Sequence, residues 1–97
     1  MAKIACITTL QAASGKREEL AEYIRRQVPL FLKSEPGTLR LDILIPHDDP
    51  DCVVVWDVYA SAEALETHRN GETLKAFLIG AAGLLSKMSG VRHTLME

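Results

Sequence analysis

Cysteine, aromatic residues and surplus charge of either sign are all scarce in this sequence. Its 97 residues include two cysteines and 5 % aromatic residues, and 11 basic against 13 acidic side chains leave a net charge of -2. Cys6 and Cys52 form no CxxC pair and are too few for a disulfide framework, so we expect both to be buried as small apolar residues. Without a basic surplus for phosphates or aromatic side chains for base stacking, nucleic acid is not an expected partner.

Long apolar runs are missing as well. No segment approaches the roughly 18 to 20 apolar residues of a membrane span, and the first residues lack the apolar core of a signal peptide. We therefore expect a cytoplasmic protein without membrane contact. The composition, 47 % hydrophobic and 25 % charged, is typical of a globular protein, and the length fits one domain over residues 1–97.

Apolar and β-branched residues predict four strands. The first covers residues 3–10, residues 38–45 alternate apolar and polar side chains, and residues 52–59 are the most β-favouring run of the chain. The second and third runs flank a short polar turn, so we expect them to pair as an antiparallel hairpin. A last short strand is expected over residues 91–96.

Helical spacing of apolar residues fills the intervals between these strands. The first helix is expected to have Ser14 as its N-cap and to end at Glu35-Pro36-Gly37, with a kink or a restarted turn near Pro29. A short helix is predicted over residues 62–69. A further helix carries an apolar stripe over residues 74–85.

The resulting order is strand, helix, strand, strand, helix pair, strand, which is the βαββαβ pattern of a ferredoxin-like α+β domain. Such a domain has an antiparallel sheet with its helices on one face. Apolar side chains nevertheless occupy both faces of two strands, since Ile4 and Ile7, like Val54 and Val55, point to opposite sides. We therefore expect a second copy to pack sheet to sheet on the uncovered face, which gives a homodimer.

Motifs for the common cofactors and nucleophiles are missing. The sequence holds no GxGxxG, GxxxxGK, HExxH or GxSxG segment, so nothing in it points to a nicotinamide, a nucleotide, zinc or a serine nucleophile. The three histidines, His47, His68 and His93, are not spaced by one helical turn, and we expect no metal site.

One local group of residues can carry chemistry. Asp57 and Tyr59 share a face of a predicted strand, and His68 lies three residues after Leu65 on the inward side of the short helix. An imidazole can take and return a proton, a phenol can donate to a substrate oxygen and a carboxylate can orient the imidazole. The alternative is a core histidine bonded to strand carbonyls with Tyr59 as packing, and the spacing leaves both open.

Four segments together form a recognisable pattern: Glu35-Pro36-Gly37-Thr38-Leu39, Val54-Val55-Trp56-Asp57-Val58-Tyr59, Ala62-Glu63-Ala64-Leu65-Glu66-Thr67-His68 and Leu74-Lys75-Ala76-Phe77. The pattern resembles the antibiotic biosynthesis monooxygenase family, especially its small quinol-monooxygenase-like members. His68 matches the family, whereas Asp57 stands where the family usually has Glu and Tyr59 where it usually has Trp. The resemblance implies a dimeric ferredoxin-like α/β barrel with a pocket between sheet and helices in each subunit.

The same resemblance implies an activity, the oxidation of electron-rich quinols or phenols by molecular oxygen without a metal or flavin cofactor. A deprotonated hydroquinone can itself reduce oxygen, so the protein needs only a base, a hydrogen-bond donor and a dry cavity. Under this hypothesis His68 accepts the proton, Tyr59 donates a hydrogen bond and Asp57 orients the imidazole. The residues expected to bind the small-molecule substrate are Thr8, Leu65 and Phe77.

Two other functions remain open. An isomerase of a small hydroxy-carbonyl compound would use the same acid and base without oxygen, and would incorporate solvent deuterium into its substrate. A non-catalytic dimer that binds a small ligand would keep His68 hydrogen-bonded internally, so that its substitution would change stability alone.

Overall fold

A four-stranded antiparallel sheet with helices packed on one face forms the protein, in a computed structural model that describes residues 2–97. The elements are β1 Ile4–Ala12, α1 Arg17–Ser34, β2 Thr38–Leu44, β3 Cys52–Tyr59, α2 Ala62–Asn70, α3 Glu72–Gly80 and β4 Leu85–Thr94. The sheet order is β2-β3-β1-β4, and β2 and β3 form the expected antiparallel hairpin. This is the ferredoxin-like α+β arrangement that the sequence predicts, with two helices in the second helical interval.

The main core lies between this sheet and helices α1 and α3. Leu20, Ile24 and Phe31 form the buried stripe of α1, at the three- and four-residue spacing that the sequence shows. They pack with residues of β1, β3 and α3, among them the fully buried Val53. A smaller cluster of Cys6, Tyr59 and Leu65 lies apart from this core, against α2. Each fully buried side chain of this size contributes about 1.5–3 kcal/mol to folding.

The helix-side face of the sheet brings side chains from three strands into adjacent rows. Cys6 of β1 pairs with Asp57 of β3 on one side and with Arg92 of β4 on the other. One row further along β1, Thr8 lies beside Gly90 of β4. Residues that are 35 or more positions apart in the chain therefore meet on one surface.

The start of α1 differs from the prediction. The helix begins at Arg17 with Lys16 as its N-cap, and no side chain caps it, so Ser14 does not serve as the N-cap. Gly15 separates Ser14 from the helix and adopts a φ of 73°, a left-handed turn that glycine permits at little cost. The helix then continues through Pro29 as far as Ser34 rather than restarting there.

The last strand is longer and begins earlier than predicted. Helix α3 ends at Gly80, and β4 covers Leu85–Thr94 instead of residues 91–96. Because β4 pairs with β1 along nearly its whole length, sheet hydrogen bonding outweighs the helical spacing that suggested a helix as far as Leu85. Gly90 lies inside this strand, close to Thr8, whose Oγ1 would lie 3.4 Å from an added Cβ.

The face of the sheet away from the helices carries apolar side chains. Trp56, Ile7 and Val91 lie side by side on β3, β1 and β4, and Ile7 and Val91 are 39 % and 60 % exposed. Trp56 is half-buried, and the guanidinium carbon of Arg40 lies 4.4 Å from its ring centroid. Arg40 also pairs with Asp42 of its own strand. We name the surface formed by Ile7, Trp56 and Val91 the open sheet face.

Both cysteines are buried and unpaired, as predicted. Cys6 lies on the helix-side face, and its pKa is raised, first by burial and then by the charge of Asp57. Within residues 2–97, none of the helices has the length and hydropathy needed to cross a membrane.

The Glu35-Pro36-Gly37 turn is fitted closely against α2. Gly37 accepts a hydrogen bond through its carbonyl oxygen from the backbone nitrogen of Ala60 at 2.8 Å. A Cβ on Gly37 would lie 2.6 Å from the Cβ of Ala64, which is closer than side-chain carbons approach. Because glycine has no side chain, α2 can pack directly against this turn. Ala64 precedes His68 by one helical turn, so the same close packing brings His68 near Glu35.

The substitution Gly37→Ala tests this contact. We expect it to lower the free energy of unfolding by about 1–3 kcal/mol, because the new methyl group pushes α2 away from the turn. The midpoint of thermal unfolding, followed by circular dichroism, should fall by at least about 4 °C. Gly83→Ala is the matched control, since a Cβ there meets no atom within 4 Å. Equal midpoints for the two variants would show that the contact between Gly37 and Ala64 is not tight enough to exclude a methyl group.

Candidate functional site

A cavity of about 360 Å³ lies between the helix-side face of the sheet and the three helices. This volume is at the lower end of pockets that hold small molecules. The cavity is lined by all of the side chains that the sequence suggested for a site, namely Thr8, Asp57, Tyr59, Leu65, His68 and Phe77.

The polar and apolar linings of the cavity are separated along β1. Around Cys6 and its row partners Asp57 and Arg92, the lining is polar. Around Leu10, which pairs with Met88 of β4, it is apolar and continues onto the buried faces of α1 and α3. A ligand that fits this cavity therefore has an apolar body and a polar edge.

Asp57 is the centre of a hydrogen-bond group at the polar side. The hydroxyl of Tyr59 donates to its Oδ2 at 2.6 Å and the hydroxyl of Thr8 donates to its Oδ1 at 2.9 Å. The geometry follows from the strands, because Asp57 and Tyr59 are two apart on β3 and Thr8 is on the neighbouring strand. Asp57 as a residue is 6 % exposed, so both donors replace water that its carboxylate has lost.

Burial dominates the acid-base properties of this group. It raises the pKa of Asp57, while the hydrogen bonds from Tyr59 and Thr8 and the nearby His68 act in the opposite direction. Burial also raises the pKa of Tyr59 far above its ordinary value, and the charge of Asp57 adds to this effect. Tyr59 is therefore a neutral phenol whose single proton is directed at Asp57.

His68 is held by a different carboxyl group from the one we expected. Its Nδ1 lies 2.8 Å from Oε1 of Glu35, and the ring packs between Tyr59 and Phe31 with centroid distances of 5.0 and 5.2 Å. The sequence suggested that Asp57 orients the imidazole, but the structure gives that contact to Glu35 and directs Asp57 to the two hydroxyls. Thr38 donates to the same oxygen of Glu35 at 2.7 Å.

Glu35 is the residue that sequence reasoning missed. It follows the last residue of α1, where the sequence predicts a turn that ends the helix and gives the acid no role in the site, yet its side chain is only 8 % exposed. Its Oε2 is buried without a hydrogen-bond partner in the part of the chain that the structure describes. A sequence signal existed, since the Glu35-Pro36-Gly37 segment was part of the family pattern, but nothing local shows that its acid turns inward.

The other histidines do not contribute to the cavity. His47 is exposed in the turn between β2 and β3, and His93 is exposed on β4. Among residues 2–97 no group of three or more His, Cys, Asp or Glu side chains is placed to hold a metal ion. The chemistry of the site depends on His68 with Glu35, and on Asp57 with its two hydroxyl donors.

The arrangement around Asp57 predicts its titration. We expect the pKa of its carboxyl, followed by carbon-13 NMR, to lie above the ordinary value and to rise further in Tyr59→Phe, because the charged form loses a donor. Since the folded protein then binds this proton more tightly than the unfolded chain, the contribution of Asp57 to stability decreases as pH rises between the unfolded and folded pKa values. Asp57→Asn should remove that pH dependence.

Tyr23→Phe is the control for this titration, because the hydroxyl of Tyr23 donates to the carbonyl oxygen of Phe77 and not to Asp57. A pKa for Asp57 that is the same in Tyr59→Phe as in the unsubstituted protein would show that the hydrogen bond does not affect the charged form.

Comparison with known proteins agrees with the sequence pattern. The family model of the antibiotic biosynthesis monooxygenases matches residues 3–78. The fold is similar to that of a protein from Caulobacter crescentus CB15, named as a candidate antibiotic biosynthesis monooxygenase. The TM-score is 0.88 at 20 % identity, over 99 % of this chain and 92 % of the other. None of the curated proteins matches this chain.

Two solved structures are similar at higher sequence identity. A Nitrosomonas europaea protein of unknown function is 28 % identical with a TM-score of 0.83, over 100 % of this chain and 92 % of the other. A Pseudomonas aeruginosa protein is 25 % identical with a TM-score of 0.83, over 100 % and 97 % of the two chains. With the family model covering most of its length, this chain belongs to the antibiotic biosynthesis monooxygenase family.

Proposed function

We propose that this protein is a monooxygenase that oxidises an electron-rich quinol or phenol with molecular oxygen and without a cofactor. The observation that carries the proposal is the imidazole of His68, which lines a largely apolar cavity and is held by the buried carboxyl group of Glu35. A base in a dry cavity is what this chemistry requires of a protein, because the reducing electrons come from the substrate itself.

The first step is removal of a proton from a substrate hydroxyl. With Nδ1 of His68 directed at Glu35, the other ring nitrogen, Nε2, is the one that takes this proton. The adjacent carboxylate of Glu35 balances the positive charge that the ring acquires. His68 is thus the catalytic base and Glu35 is a positioning residue that acts through it.

Electrons and atoms balance without a further reductant. The deprotonated quinol transfers electrons to oxygen, one oxygen atom forms a new bond to a ring carbon, and the other leaves as water. The ring carbon loses its hydrogen and the quinol becomes a hydroxylated quinone, so the substrate supplies all four electrons that oxygen accepts. The proton held by His68 returns to the departing oxygen atom.

Asp57 with its two hydroxyl partners forms a second polar group in the cavity, which we assign to binding the substrate. The sequence suggested Tyr59 as a hydrogen-bond donor to the substrate, but Tyr59 and Thr8 both donate their single hydroxyl protons to Asp57. They therefore offer the substrate acceptor oxygens, which suit the proton of a second substrate hydroxyl. The apolar lining, which includes Leu65 and Phe77, contacts the ring and keeps water from the anion.

Oxygen consumption with a panel of hydroquinones and naphthohydroquinones, both neutral and carboxylated, tests the function. We expect uptake by the intact protein and a fall in kcat/KM of about 10²–10⁴ in His68→Ala, because the base is lost. His47→Ala, an exposed histidine in a turn, should match the intact protein. No uptake with any member of the panel, or equal uptake in His68→Ala, would reject the proposal. Deuterium incorporation without oxygen uptake would instead indicate an isomerase.

Glu35→Gln belongs to the same experiment. We expect it to shift the pH profile of kcat/KM, because Gln keeps the size of the side chain but cannot balance a charged ring. Added to His68→Ala it should cause no further loss of activity, since both act on one proton transfer. Losses that simply add would show that Glu35 acts on stability or packing alone.

We also propose that two copies associate through the open sheet face. Its apolar side chains remain exposed in the single chain, and a sheet-to-sheet contact would bury them as a sandwich does. Trp56 of this face and the adjacent Arg40 are residue types that are enriched at protein interfaces.

Solution mass by light scattering tests the association. We expect about twice the 10.7 kDa of the chain, and a shift towards the single chain in Val91→Lys, since a charge in this contact would lose its water. Ile79→Lys is the control, because Ile79 is 78 % exposed on α3, away from the sheet. A single-chain mass for the unsubstituted protein would exclude the dimer.

A further inference from the structure

Two arginines at the rim of the cavity take no part in the proposed reaction. Arg69 follows His68 on α2, and Arg92 lies on β4 in the same sheet row as Asp57, so both line the cavity. Their side chains are 59 % and 47 % exposed, which places them where the cavity meets solvent. We name Arg69, Arg92 and the neighbouring Glu66 the rim triad.

One carboxylate is shared by both guanidinium groups. Oε1 of Glu66 lies 3.9 Å from Nη1 of Arg69 and 3.5 Å from Nη2 of Arg92. Both distances are longer than the about 2.7–2.9 Å of a charge-assisted hydrogen bond, so neither contact uses the full strength of the pair. Two positive charges against one negative charge leave the rim with a net charge of +1.

The rim triad lies where a charged substituent of a bound ligand would meet it. Since Arg69 is adjacent to His68 in the chain and Arg92 shares a row with Asp57, the guanidinium groups flank the polar side of the cavity. A ring in the apolar part whose hydroxyl reaches His68 can place a neighbouring substituent at the rim, since Arg69, Arg92 and His68 line the same cavity. The planar guanidinium fork matches the two oxygens of a carboxylate.

We propose that the rim triad selects aromatic substrates that carry a carboxylate substituent, so that the substrate is a hydroxylated aromatic acid and not a neutral quinol. A single anionic charge matches the net charge of the rim, whereas a dianionic phosphate ester would leave excess negative charge. For turnover the inference rests on the proposed function, but the binding preference itself does not.

Binding of two matched ligands tests the preference apart from any oxidation. The probes are 1-hydroxy-2-naphthoate and its neutral amide, 1-hydroxy-2-naphthamide, titrated by calorimetry at low ionic strength. We expect the acid to bind about tenfold more tightly than the amide, and the preference to shrink as salt is added. The rim triad predicts opposite signs for its members. Arg69→Gln and Arg92→Gln reduce the preference, and Glu66→Gln increases it because a competing carboxylate is removed.

Matched controls separate the rim from general charge and from fold effects. Arg25→Gln removes one positive charge from the exposed side of α1, and Glu63→Gln removes one negative charge from α2. Both should keep the tenfold preference of the unsubstituted protein. Opposite changes for the arginine and glutamate variants of the rim cannot result from loss of folding, which would lower the binding of both ligands together.

The inference would be overturned by equal binding of acid and amide, by a preference that survives Arg69→Gln and Arg92→Gln combined, or by tighter binding of 1-naphthyl phosphate than of the acid. Failure of binding by all three probes would overturn it too. Oxygen uptake with 2,5-dihydroxybenzoate and 2,5-dihydroxybenzamide distinguishes this from failure of the proposed function. Equal oxidation of the acid and the amide would reject the rim inference and support the proposed function. Tighter binding of the acid without any oxygen uptake would support the rim inference and reject the proposed function.

Discussion

The contact between the buried carboxyl group of Glu35 and the imidazole of His68 is the constraint around which the site is organised. A carboxyl group that is removed from water needs hydrogen-bond partners in the protein. Oε1 of Glu35 has two, the hydroxyl of Thr38 and the imidazole of His68. Its Oε2 is buried and has no partner among the described residues. That incomplete pairing lowers the stability that the fold would otherwise have. This loss of stability agrees with the proposed role of Glu35, which is to balance a positive charge on the imidazole of His68.

Backbone geometry makes this contact possible. The close approach of α2 to the Gly37 turn brings the helix near enough for His68 to reach back to Glu35. The other end of the site is set by the sheet, where the alternation of β3 and its register with β1 place Asp57 beside two hydroxyl groups. Two separate contacts therefore fix the polar side chains of the cavity. The Gly37 turn positions Glu35 and His68, and the pairing of β3 with β1 positions Asp57.

The relatives show how little sequence this fold requires. Solved structures at 17–28 % identity share the architecture with TM-scores of 0.80 to 0.88. What such proteins must share is a pattern of apolar positions and a few turns, because these decide how the sheet and helices pack. The identity of the side chains inside the cavity is far less constrained by folding, so chemistry can differ between members that look alike.

The sequence by itself determined most of the architecture, because the spacing of apolar residues and the breakers between them are local signals that directly reflect strands and helices. It also placed Asp57, Tyr59 and His68 at one cavity, since strand alternation and helix periodicity are short-range rules. It misplaced the beginning of β4, where pairing with β1 outweighed helical spacing. Only the tertiary structure decided that Glu35, and not Asp57, holds His68, and that Arg69 and Arg92 meet at the rim. Those contacts join residues more than 20 positions apart, and their existence depends on packing and burial, which no local pattern records.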